Sequence, residues 1–485
     1  MAAVTTNGSK ATLDFTTFKN IINNELVDTV KHHYGINPAT LEKLPNVPIA
    51  NKVDLDNAVK AARAAFEKWR NVSREERNAA VLKFADLIEA NADGFTKLLT
   101  LEQGKPTPQA TFEVGGCVTW LRALSQIKVD DEVFEDTTER KVVTRFTPIG
   151  VVGAIVPWNF PCLLNIGKIG PAVLMGNTII VKPSPFTPYT ALKFAELASK
   201  CFPPGVVQAL SGDDNLGPWM TAIEGIDKIS FTGSTVTGKK VAASVAATMK
   251  RLTLELGGKD PAIICASVDI PKVAAEVCTY AFLNSGQVCL AIKRVYIHSS
   301  IYAAFRDAMV KYTKALKIGN GLDENVFFGP IQNEMQYKKV RSLFDDIAKE
   351  KWKVAVGGTI DTDITGYFIN PTIVDNPSDE SRIVKEEPFG PILPILSWDT
   401  EEEVIKRANA SELGLGASVW SNDMEEAERI GNQIEAGTVW INTHFDVSPV
   451  IPFGGHKQSG LGVEGGVAGM KGMCNQQTLN IHKIK

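Results

Sequence analysis

The sequence has no strong excess of either charge and no long block of one sign. It contains 51 Lys and Arg and 55 Asp and Glu among 485 residues, for a formal charge of −4. Proteins devoted to nucleic acids or membrane surfaces usually carry a basic patch, so neither is an expected partner. No apolar run is long enough to span a membrane, and the N-terminus lacks the apolar core of a signal peptide. A cytoplasmic protein is expected.

Disulfide and metal-binding patterns are lacking as well. The seven cysteines are scattered and odd in number, and no Cys-x-x-Cys or Cys/His cluster occurs. This pattern favours reduced thiols and predicts no metal site. The length of 485 residues is too great for one core and suggests about three domains at roughly 150 residues each.

What the sequence does contain is an alternation of short apolar runs and amphipathic stretches. Helical patterns start with a plausible cap at Asp54, and two charged strands over 128–148 predict a projecting β arm. Between 149 and 264 fully apolar runs alternate with helices, which is typical of βαβ units and a parallel sheet covered on both faces. A second such series begins near 272, and an alternating segment over 476–482 has the pattern of a strand that pairs with another edge or another chain. The sequence therefore predicts an α/β protein.

Cys289 is the candidate nucleophile. It follows a helical stretch and a Gly-containing turn, where backbone N–H groups stabilise a thiolate and a forming oxyanion. Most lone cysteines in apolar surroundings are simply core residues, and for Cys289 taken alone that alternative is favoured. No histidine lies close to Cys289 in sequence, which disfavours a Cys-His protease.

Two polar residues are candidates for acid–base and oxyanion roles. Glu255 lies between two leucines and precedes two glycines, and such apolar surroundings raise a carboxyl pKa and suit a general base. Asn159 directly follows an apolar strand and has an amide that could donate to an oxyanion. A solvated glutamate at a strand edge and an ordinary loop asparagine remain open as alternatives.

The segment Phe231–Gly238 has the pattern of an anion site. A strand runs into glycine and small hydroxyl residues at the start of a helix, where backbone N–H groups are free to bind an anion. The spacing is not the usual G-x-G-x-x-G fingerprint, so it is weak evidence for a dinucleotide. Lys182, at the end of another apolar strand, is a candidate contact for a ribose or a phosphate.

Seven motifs, in this order, resemble those of the NAD(P)-dependent, hydrolytic aldehyde dehydrogenase superfamily from about residue 20 to the C-terminus. They are PWNFP, VKPSP, FTGSTVTG, LELGGKDPAI, LNSGQVCLA, EEPFGPILP and PFGGHKQSGLG. The resemblance implies the aldehyde dehydrogenase fold, with a Rossmann-like cofactor-binding domain, an α/β catalytic domain and a small β oligomerisation arm. The expected boundaries are 16–125 and 148–255 for the NAD(P)-binding domain, 256–455 for the catalytic domain, and 126–147 and 470–485 for the arm and C-terminal tail.

The resemblance also implies a role for each matching residue. Cys289 would attack the aldehyde carbon, Asn159 and the Cys289 N–H would hold the oxyanion, and Glu255 would activate the water that hydrolyses the thioester. Lys182 and Glu387 would bind ribose hydroxyls, Trp158 and Ser234 the pyrophosphate, and Phe389 the nicotinamide. The remaining expected cofactor contacts are Val156, Pro157, Ser184, Gly233 and Gly257. The expected tunnel residues are Phe160, Leu164, Val288 and Phe453.

Departures from the family pattern bear on the cofactor and the substrate. Pro185 stands where many NAD-preferring members have an acidic residue, and its lack of charge removes one barrier to the 2′-phosphate of NADP. NAD or NADP is therefore expected, with NAD slightly favoured. Gly167, Leu283 and Val447 stand at positions that are often aromatic, which predicts a wider tunnel and a bulky aromatic or medium-chain aliphatic aldehyde. Arg122 is expected at the surface, with a tunnel position as the alternative.

Two rival functions follow from the same residues. In a CoA-acylating dehydrogenase CoA takes the acyl group, and a conserved scaffold without activity, like the lens crystallins, would only keep the fold. Glu255 argues against the first because acyl transfer to a thiol needs no water-activating base. Cys289, Glu255 and Asn159 together argue against the second. The expected partners are a small aldehyde and further copies of the chain, as a homodimer or homotetramer.

Overall fold

The computed structural model describes residues 13–361 and 363–483. Within these residues two large sheets, one of eight strands and one of seven, carry most of the buried side chains. Across the same part of the chain, no helix has both the length and the apolar character needed to cross a membrane. The predicted α/β class is thereby observed.

The eight-stranded sheet has five parallel strands at its centre. In spatial order these are Val207–Ala209, Thr178–Lys182, Val151–Ile155, Lys228–Thr232 and Arg251–Glu255. Antiparallel strands extend both edges, namely Asn20–Ile22 and Glu25–Val27 on one side and Gly460–Leu461 on the other. Chain order runs outward in both directions from Val151–Ile155, so a topological switch point lies beside this strand. Open parallel sheets bind ligands at the carboxyl ends of their strands at such a point.

The seven-stranded sheet is parallel except at one edge. Its spatial order is Lys353–Val356, Thr372–Asp375, Ile392–Trp398, Ile292–His298, Asp260–Ile264, Gly416–Trp420 and Thr438–Ile441. Only the first of these strands runs antiparallel to its neighbour. Ile292–His298 is a central strand, and the turn that precedes it carries Cys289.

Helices cover both faces of each sheet, because alternate strand residues enter different cores. Val152 and Ala154 belong to one hydrophobic cluster, and their neighbours Val151 and Ile155 belong to another. The helices are Lys52–Trp69, Arg74–Ala90, Ala92–Gln103, Thr107–Gln126, Leu163–Leu174, Tyr189–Ala198, Leu216–Ala222, Thr235–Ala246, Ile270–Phe282, Tyr302–Ala315, Glu334–Lys349, Arg382–Lys385, Glu401–Asn409, Met424–Gly431 and Gly466–Lys471. The strands of both sheets must therefore be apolar on both faces, as their sequences indicated.

Smaller sheets lie outside the two large ones. Three antiparallel strands form the arm, Glu132–Asp136, Arg140–Pro148 and Cys474–His482, and the last strand pairs with the second along its whole length. The tail strand thus completes the arm of its own chain. Three two-stranded sheets join Lys317–Ile318 to Val326–Phe328, Leu413–Gly414 to His456–Lys457, and His32–Ile36 to Lys43–Pro48.

Three local predictions differ from the structure. Arg251–Glu255 is a strand that the pattern of apolar runs did not predict. The sequence pattern predicts a strand over 367–374, but the strand begins only at Thr372, because the Tyr367 backbone bonds to Pro38 and Ile331 and Pro371 has no N–H for a ladder bond. The first helix is capped by Asn51 rather than Asp54, whose carboxylate instead accepts the Asn51 N–H in a capping box. The domain boundaries expected from the resemblance stay predictions.

Candidate active site

The carboxyl ends of the parallel strands bring several predicted residues to one edge of the first sheet. Lys182 and Glu255 are the last residues of their strands, and Val156 directly follows a third. The Val156 N–H donates to the Lys182 carbonyl at 3.0 Å, and the Gly233 N–H donates to the Glu255 carbonyl at 3.0 Å. These backbone bonds hold the predicted base and the predicted cofactor contacts in one layer.

Cys289 lies in a tight turn between a 3-10 helix, Leu283–Gly286, and the strand Ile292–His298. Asn284 and Ser285 have φ of 50° and 56°, which is uncommon for residues other than glycine and must be held by the surroundings. The Asn284 N–H donates to Gln109 Oε1 at 3.0 Å, and Ser285 Oγ donates to the Gly329 carbonyl at 2.7 Å. The turn is therefore clamped from two other segments.

The Cys289 residue is half-buried and packs in an apolar cluster. Burial raises the pKa of its thiol to about 12, and the nearby Lys293 acts to lower it. The thiol is therefore protonated at rest, and a thiolate forms only when a base accepts the proton. No hydrogen bond from the Cys289 backbone N–H to another described residue is present, so this donor is free for an oxyanion.

Glu255 is only 6% exposed, so the alternative of a solvated glutamate is wrong. Neither carboxylate oxygen has a hydrogen-bond partner in the described protein. Burial raises the pKa of this carboxyl well above its ordinary value, Glu464 raises it further, and Lys168 lowers it. A buried carboxylate with two unused oxygens and a raised pKa accepts a proton more readily than an exposed one, as a general base must.

Lys168, Glu464 and Ser230 form a buried polar group next to Glu255 that sequence reasoning missed. Lys168 Nζ donates to Glu464 Oε1 at 2.6 Å and to Ser230 Oγ at 2.9 Å, and Ser230 Oγ donates to Glu464 at 2.8 Å. The sequence feature that could have revealed this group is the single lysine in the apolar helix Leu163–Leu174, because a lysine on a buried face needs a partner.

Asn159 is 3% exposed and is bonded directly to the cysteine turn. Its Nδ2 donates to the Gln287 carbonyl at 3.0 Å, which occupies one of its two N–H groups. Its backbone carbonyl accepts from Asn284 Nδ2 at 3.1 Å and from Lys105 Nζ at 2.9 Å. The position of the amide therefore depends on the same turn that carries Cys289.

Lys105 and Glu113 form a fully buried ion pair behind Asn159. Glu113 Oε1 accepts the N–H groups of Cys162 and Leu163 at 2.9 and 3.1 Å, while Lys105 binds the Asn159 carbonyl. The pair thus holds the segment from Asn159 to Leu163 by hydrogen bonds at both ends. Sequence reasoning missed both residues, since their partners lie about 50 residues away.

Lys182 and Ser184 lie at the end of the strand Thr178–Lys182 and just after it. Lys182 is buried, its Nζ donates to the Pro183 carbonyl at 3.0 Å, and burial lowers its pKa to about 8. Asp213 and Asp214 lie close enough to raise the pKa again. Ser234 is exposed and caps the helix that begins at Thr235 by accepting the Thr237 N–H at 3.3 Å.

Glu387 contacts the glycines that follow Glu255, and Phe389 contacts Trp158. Glu387 Oε1 accepts the Gly258 N–H at 3.1 Å, and a Cβ at Gly257 would come within 2.5 Å of Glu387 Oε2. The rings of Trp158 and Phe389 lie 5.3 Å apart, edge to face. Phe389 has φ 50°, a costly conformation for an aromatic residue, and Gln336 Nε2 bonds its carbonyl at 3.0 Å.

Known proteins that resemble this chain along nearly its whole length are aldehyde dehydrogenases. The aldehyde dehydrogenase family model matches residues 27–479. The chain belongs to the aldehyde dehydrogenase family. Aldehyde dehydrogenase LUC3 of a Fusarium species is 43% identical over 472 residues, which cover 97% of this chain and 100% of that protein.

Two solved structures superpose closely on this chain. The NAD+ complex of an aldehyde dehydrogenase from Bacillus cereus has a TM-score of 0.93 and 36% identity, and the match covers 96% of each chain. An NADP-dependent enzyme from E. coli has a TM-score of 0.94 and 32% identity, covering 97% of this chain and 99% of that one. The family and fold expected from the seven motifs are confirmed.

The apolar cluster around Cys289 contains three of the four expected tunnel residues. Phe160, Val288 and Phe453 pack there, together with Phe445 and Val447. Leu164 packs instead against the core of the first sheet. A Cβ at Gly167 would lie 3.8 Å from Trp120 Nε1, so this tryptophan faces the position where a side chain is missing. Arg122 lies at the surface and pairs with Asp86 and Glu89 at 2.9 and 2.7 Å.

His444 is the histidine that packs beside the cysteine turn. Its Nε2 contacts the Leu290 carbonyl at 2.8 Å and its Nδ1 contacts Ser418 Oγ at 3.0 Å, so both ring nitrogens are occupied. Burial lowers its pKa to about 3. His444 is therefore not positioned as a base for Cys289. Among residues 13–361 and 363–483, no group of three or more His, Cys, Asp and Glu side chains could hold a metal ion.

Proposed function

We propose that this aldehyde dehydrogenase oxidises an aldehyde to a carboxylic acid with NAD+ or NADP+ through a thioester on Cys289. The observation that carries the proposal is the presence of Glu255, buried with two unpartnered oxygens, near the half-buried Cys289. The two groups are near enough for the charge of Glu255 to raise the pKa of Cys289. A nucleophile next to a base is the arrangement that covalent catalysis needs.

The first step is addition of the thiol to the aldehyde. Glu255 accepts the Cys289 proton, Sγ bonds to the carbonyl carbon, and the carbonyl electron pair moves to oxygen. The oxyanion then accepts hydrogen bonds from the Cys289 N–H and from the Asn159 N–H that Gln287 leaves free. Because Asn159 and Cys289 belong to one bonded unit, the two donors keep their spacing while the carbon changes geometry.

The residues at the sheet edge fit a dinucleotide. The Lys182 ammonium is buried and bonds one carbonyl, which leaves two N–H groups for ribose hydroxyls. The exposed helix start at Ser234 offers backbone N–H groups to a pyrophosphate, and the missing side chain at Gly257 gives room beside Glu387. When bound, NAD(P)+ supplies the acceptor for the hydride that leaves the Cys289-bound carbon, and a thioester remains on the sulfur.

The second half is hydrolysis of the thioester. Glu255 first releases to solvent the proton that it took from Cys289. It then takes a proton from a water molecule, the hydroxyl adds to the acyl carbon, and Cys289 Sγ leaves with the electron pair and regains a proton from Glu255. The pKa of Glu255 is raised by burial and by Glu464, which makes the carboxylate a stronger base than an exposed one. The Lys168–Glu464 pair keeps charge balanced beside the base through this exchange.

The choice of dinucleotide follows from Pro185 and the groups around Lys182. Pro185 offers no carboxylate against a 2′-phosphate, whereas Asp213 and Asp214 lie near Lys182 on the adjacent loop. Dual use with a preference for NAD+ is the proposal that both features support. The similarity to an NAD+ complex and to an NADP-dependent enzyme is in line with it.

The proposed aldehyde is bulky and aromatic or of medium chain length. Val447 and Gly167 occupy less of the proposed tunnel than the aromatic residues common at those positions, and Phe160, Phe445 and Phe453 make the cluster around Cys289 apolar. The test compares kcat/KM for acetaldehyde, hexanal and benzaldehyde. Higher values for hexanal and benzaldehyde are expected, and a clear preference for acetaldehyde would contradict the assignment.

The nucleophile is tested by replacing single cysteines. Cys289→Ser should abolish NAD(P)H formation, because an alcohol is a far weaker nucleophile than a thiolate. Cys201→Ser is the matched control, since Cys201 is the other thiol that is not fully buried. Full activity of Cys289→Ser would defeat the mechanism and leave a scaffold or another nucleophile to consider.

The same assay separates hydrolysis from acyl transfer to CoA. With Glu255 present, multiple turnovers should occur without CoA, and CoA should not accelerate them. Turnover that stops after one equivalent until CoA is added would favour the CoA-acylating alternative.

We also propose that the chain forms a homodimer or homotetramer through the arm of 126–147 and 470–485. Sedimentation velocity measures the oligomeric state.

A further inference from the structure

Lys293 is a buried cation in contact with the cysteine turn, and the mechanism above does not use it. It is the second residue of the strand Ile292–His298 and is 3% exposed. Its Nζ donates to the Cys289 carbonyl and forms an ion pair with Glu387 Oε1 at 3.1 Å. One ammonium thus joins the turn that carries the thiol to Glu387, the carboxylate expected to bind a ribose hydroxyl.

The charges facing the thiol are mostly negative. Glu255, Glu387 and Asp260 all lie near enough to disfavour the thiolate, and Lys293 is the cation that opposes them. Asp260 is buried, both its oxygens lack a side-chain hydrogen bond, and a Cβ at Gly258 would come within 2.4 Å of Oδ1. Burial raises the pKa of Asp260 to about 7, and Lys293 lowers it.

The other buried cations in this region are engaged elsewhere. Lys259 Nζ donates to the Ile383 carbonyl at 2.8 Å, and burial holds its pKa well below the ordinary value. Arg294 donates to the carbonyls of Lys259 and Ala408 at 2.9 Å each. Neither bonds to the cysteine turn, so Lys293 alone among these three holds its ammonium against Cys289.

We propose that Lys293 is a positioning residue that ties the Cys289 turn to Glu387 and supplies the positive charge that stabilises the Cys289 thiolate. The proposal rests on the proposed function only for the role of Glu387. The stabilisation of the Cys289 thiolate by Lys293 concerns the enzyme before any substrate binds. Without Lys293, three carboxyl groups face the thiol and no cation bonds to its turn, so ionisation becomes harder.

The test measures alkylation of Cys289 by iodoacetamide against pH in enzyme without cofactor, by mass spectrometry of the peptide that contains it. Only the thiolate reacts, so the rate reports its fraction. Lys293→Met should slow the reaction at least about tenfold at a fixed pH below the midpoint, since one pKa unit is a tenfold change in thiolate. Lys293→Arg should restore part of the rate. Lys193→Met is the matched control, because Lys193 is equally buried but pairs with Glu196, and its rate should equal that of the wild type.

A second variant keeps the proposal testable if Lys293→Met does not fold. Glu387→Gln removes one opposing carboxylate while Lys293 remains, so it should speed alkylation. In the Lys293→Met background it should recover part of the lost rate. A folded Lys293→Met enzyme that reacts like the wild type, or a Glu387→Gln enzyme that reacts no faster, would overturn the proposal. Because alkylation needs neither aldehyde nor turnover, either outcome is distinct from failure of the proposed function.

Discussion

Replacing Asn159 with alanine removes the proposed oxyanion amide and leaves Cys289 and Glu255 unchanged. In the structure one amide N–H is bonded to the Gln287 carbonyl at 3.0 Å, so the other is the one available to substrate. The substitution therefore removes one of two proposed oxyanion donors, the second being the backbone N–H of Cys289. Oxyanion stabilisation should fall while the supply of nucleophile and base stays the same.

The size of the effect on catalysis and on stability can be separated. Loss of one oxyanion donor costs about 2.7–4 kcal/mol in the transition state, so kcat should fall about 10²–10³-fold. Loss of the bond to Gln287 should cost about 1 kcal/mol of unfolding free energy. The cost is limited because Asn284 Nδ2 also approaches that carbonyl, at 3.5 Å. Catalysis should thus fall far more than the amount of folded enzyme.

The assay is steady-state NAD(P)H formation at saturating aldehyde, with thermal unfolding recorded on the same samples. Asn91→Ala is a control, since Asn91 is also buried and its Nδ2 donates to the Leu87 carbonyl at 2.8 Å, away from the site. It should lose stability and keep its kcat. A folded Asn159→Ala enzyme whose kcat falls less than about tenfold, under 1.4 kcal/mol, would refute the oxyanion assignment.

Three further predictions concern other parts of the site. Glu255→Gln should still give a first burst of NAD(P)H in stopped flow, slowed because water must then accept the Cys289 proton, and its steady-state rate should fall about 10²–10⁴-fold. In the wild type kcat should fall as the pH drops through the raised pKa of Glu255, because the base must be ionised. An unchanged steady-state rate, or a kcat that does not depend on pH, would contradict the role of Glu255. Lys105→Met leaves buried Glu113 unbalanced and should cost about 3–5 kcal/mol of unfolding free energy in urea titrations, and Lys105→Met with Glu113→Gln should cost less. Pro185→Glu should raise KM for NADP+ relative to NAD+ in parallel assays, and an unchanged ratio would argue that Asp213 and Asp214 already set the preference.

The fold was predictable from sequence where burial leaves a direct pattern. Strands covered on both faces must be apolar throughout, and Thr178–Lys182 and Ile392–Trp398 were visible for that reason. Arg251–Glu255 was not, because it is exposed at its first residue and becomes buried only toward Glu255. A strand that changes environment along its length has no uniform pattern to detect.

The chemistry of the site was predictable only in part, and the reason is distance along the chain. The motif positions located Cys289, Glu255 and Asn159, but the raised pKa of Glu255 depends on Glu464, which is remote in sequence. The same holds for Lys293, whose ion-pair partner Glu387 lies on another segment. Buried lysines in apolar stretches are visible in sequence and indicate that a partner exists, although its identity follows only from packing.

Mass spectrometry of the acyl-enzyme tests the central claim most directly. Glu255→Gln is mixed with NAD+ and hexanal, quenched in acid and digested, and the mass of each cysteine peptide is measured. The peptide that contains Cys289 should carry one hexanoyl group, while the Cys201 peptide stays unmodified. A burst of NADH with no acyl group on Cys289, or with the group on another cysteine, would contradict the thioester mechanism.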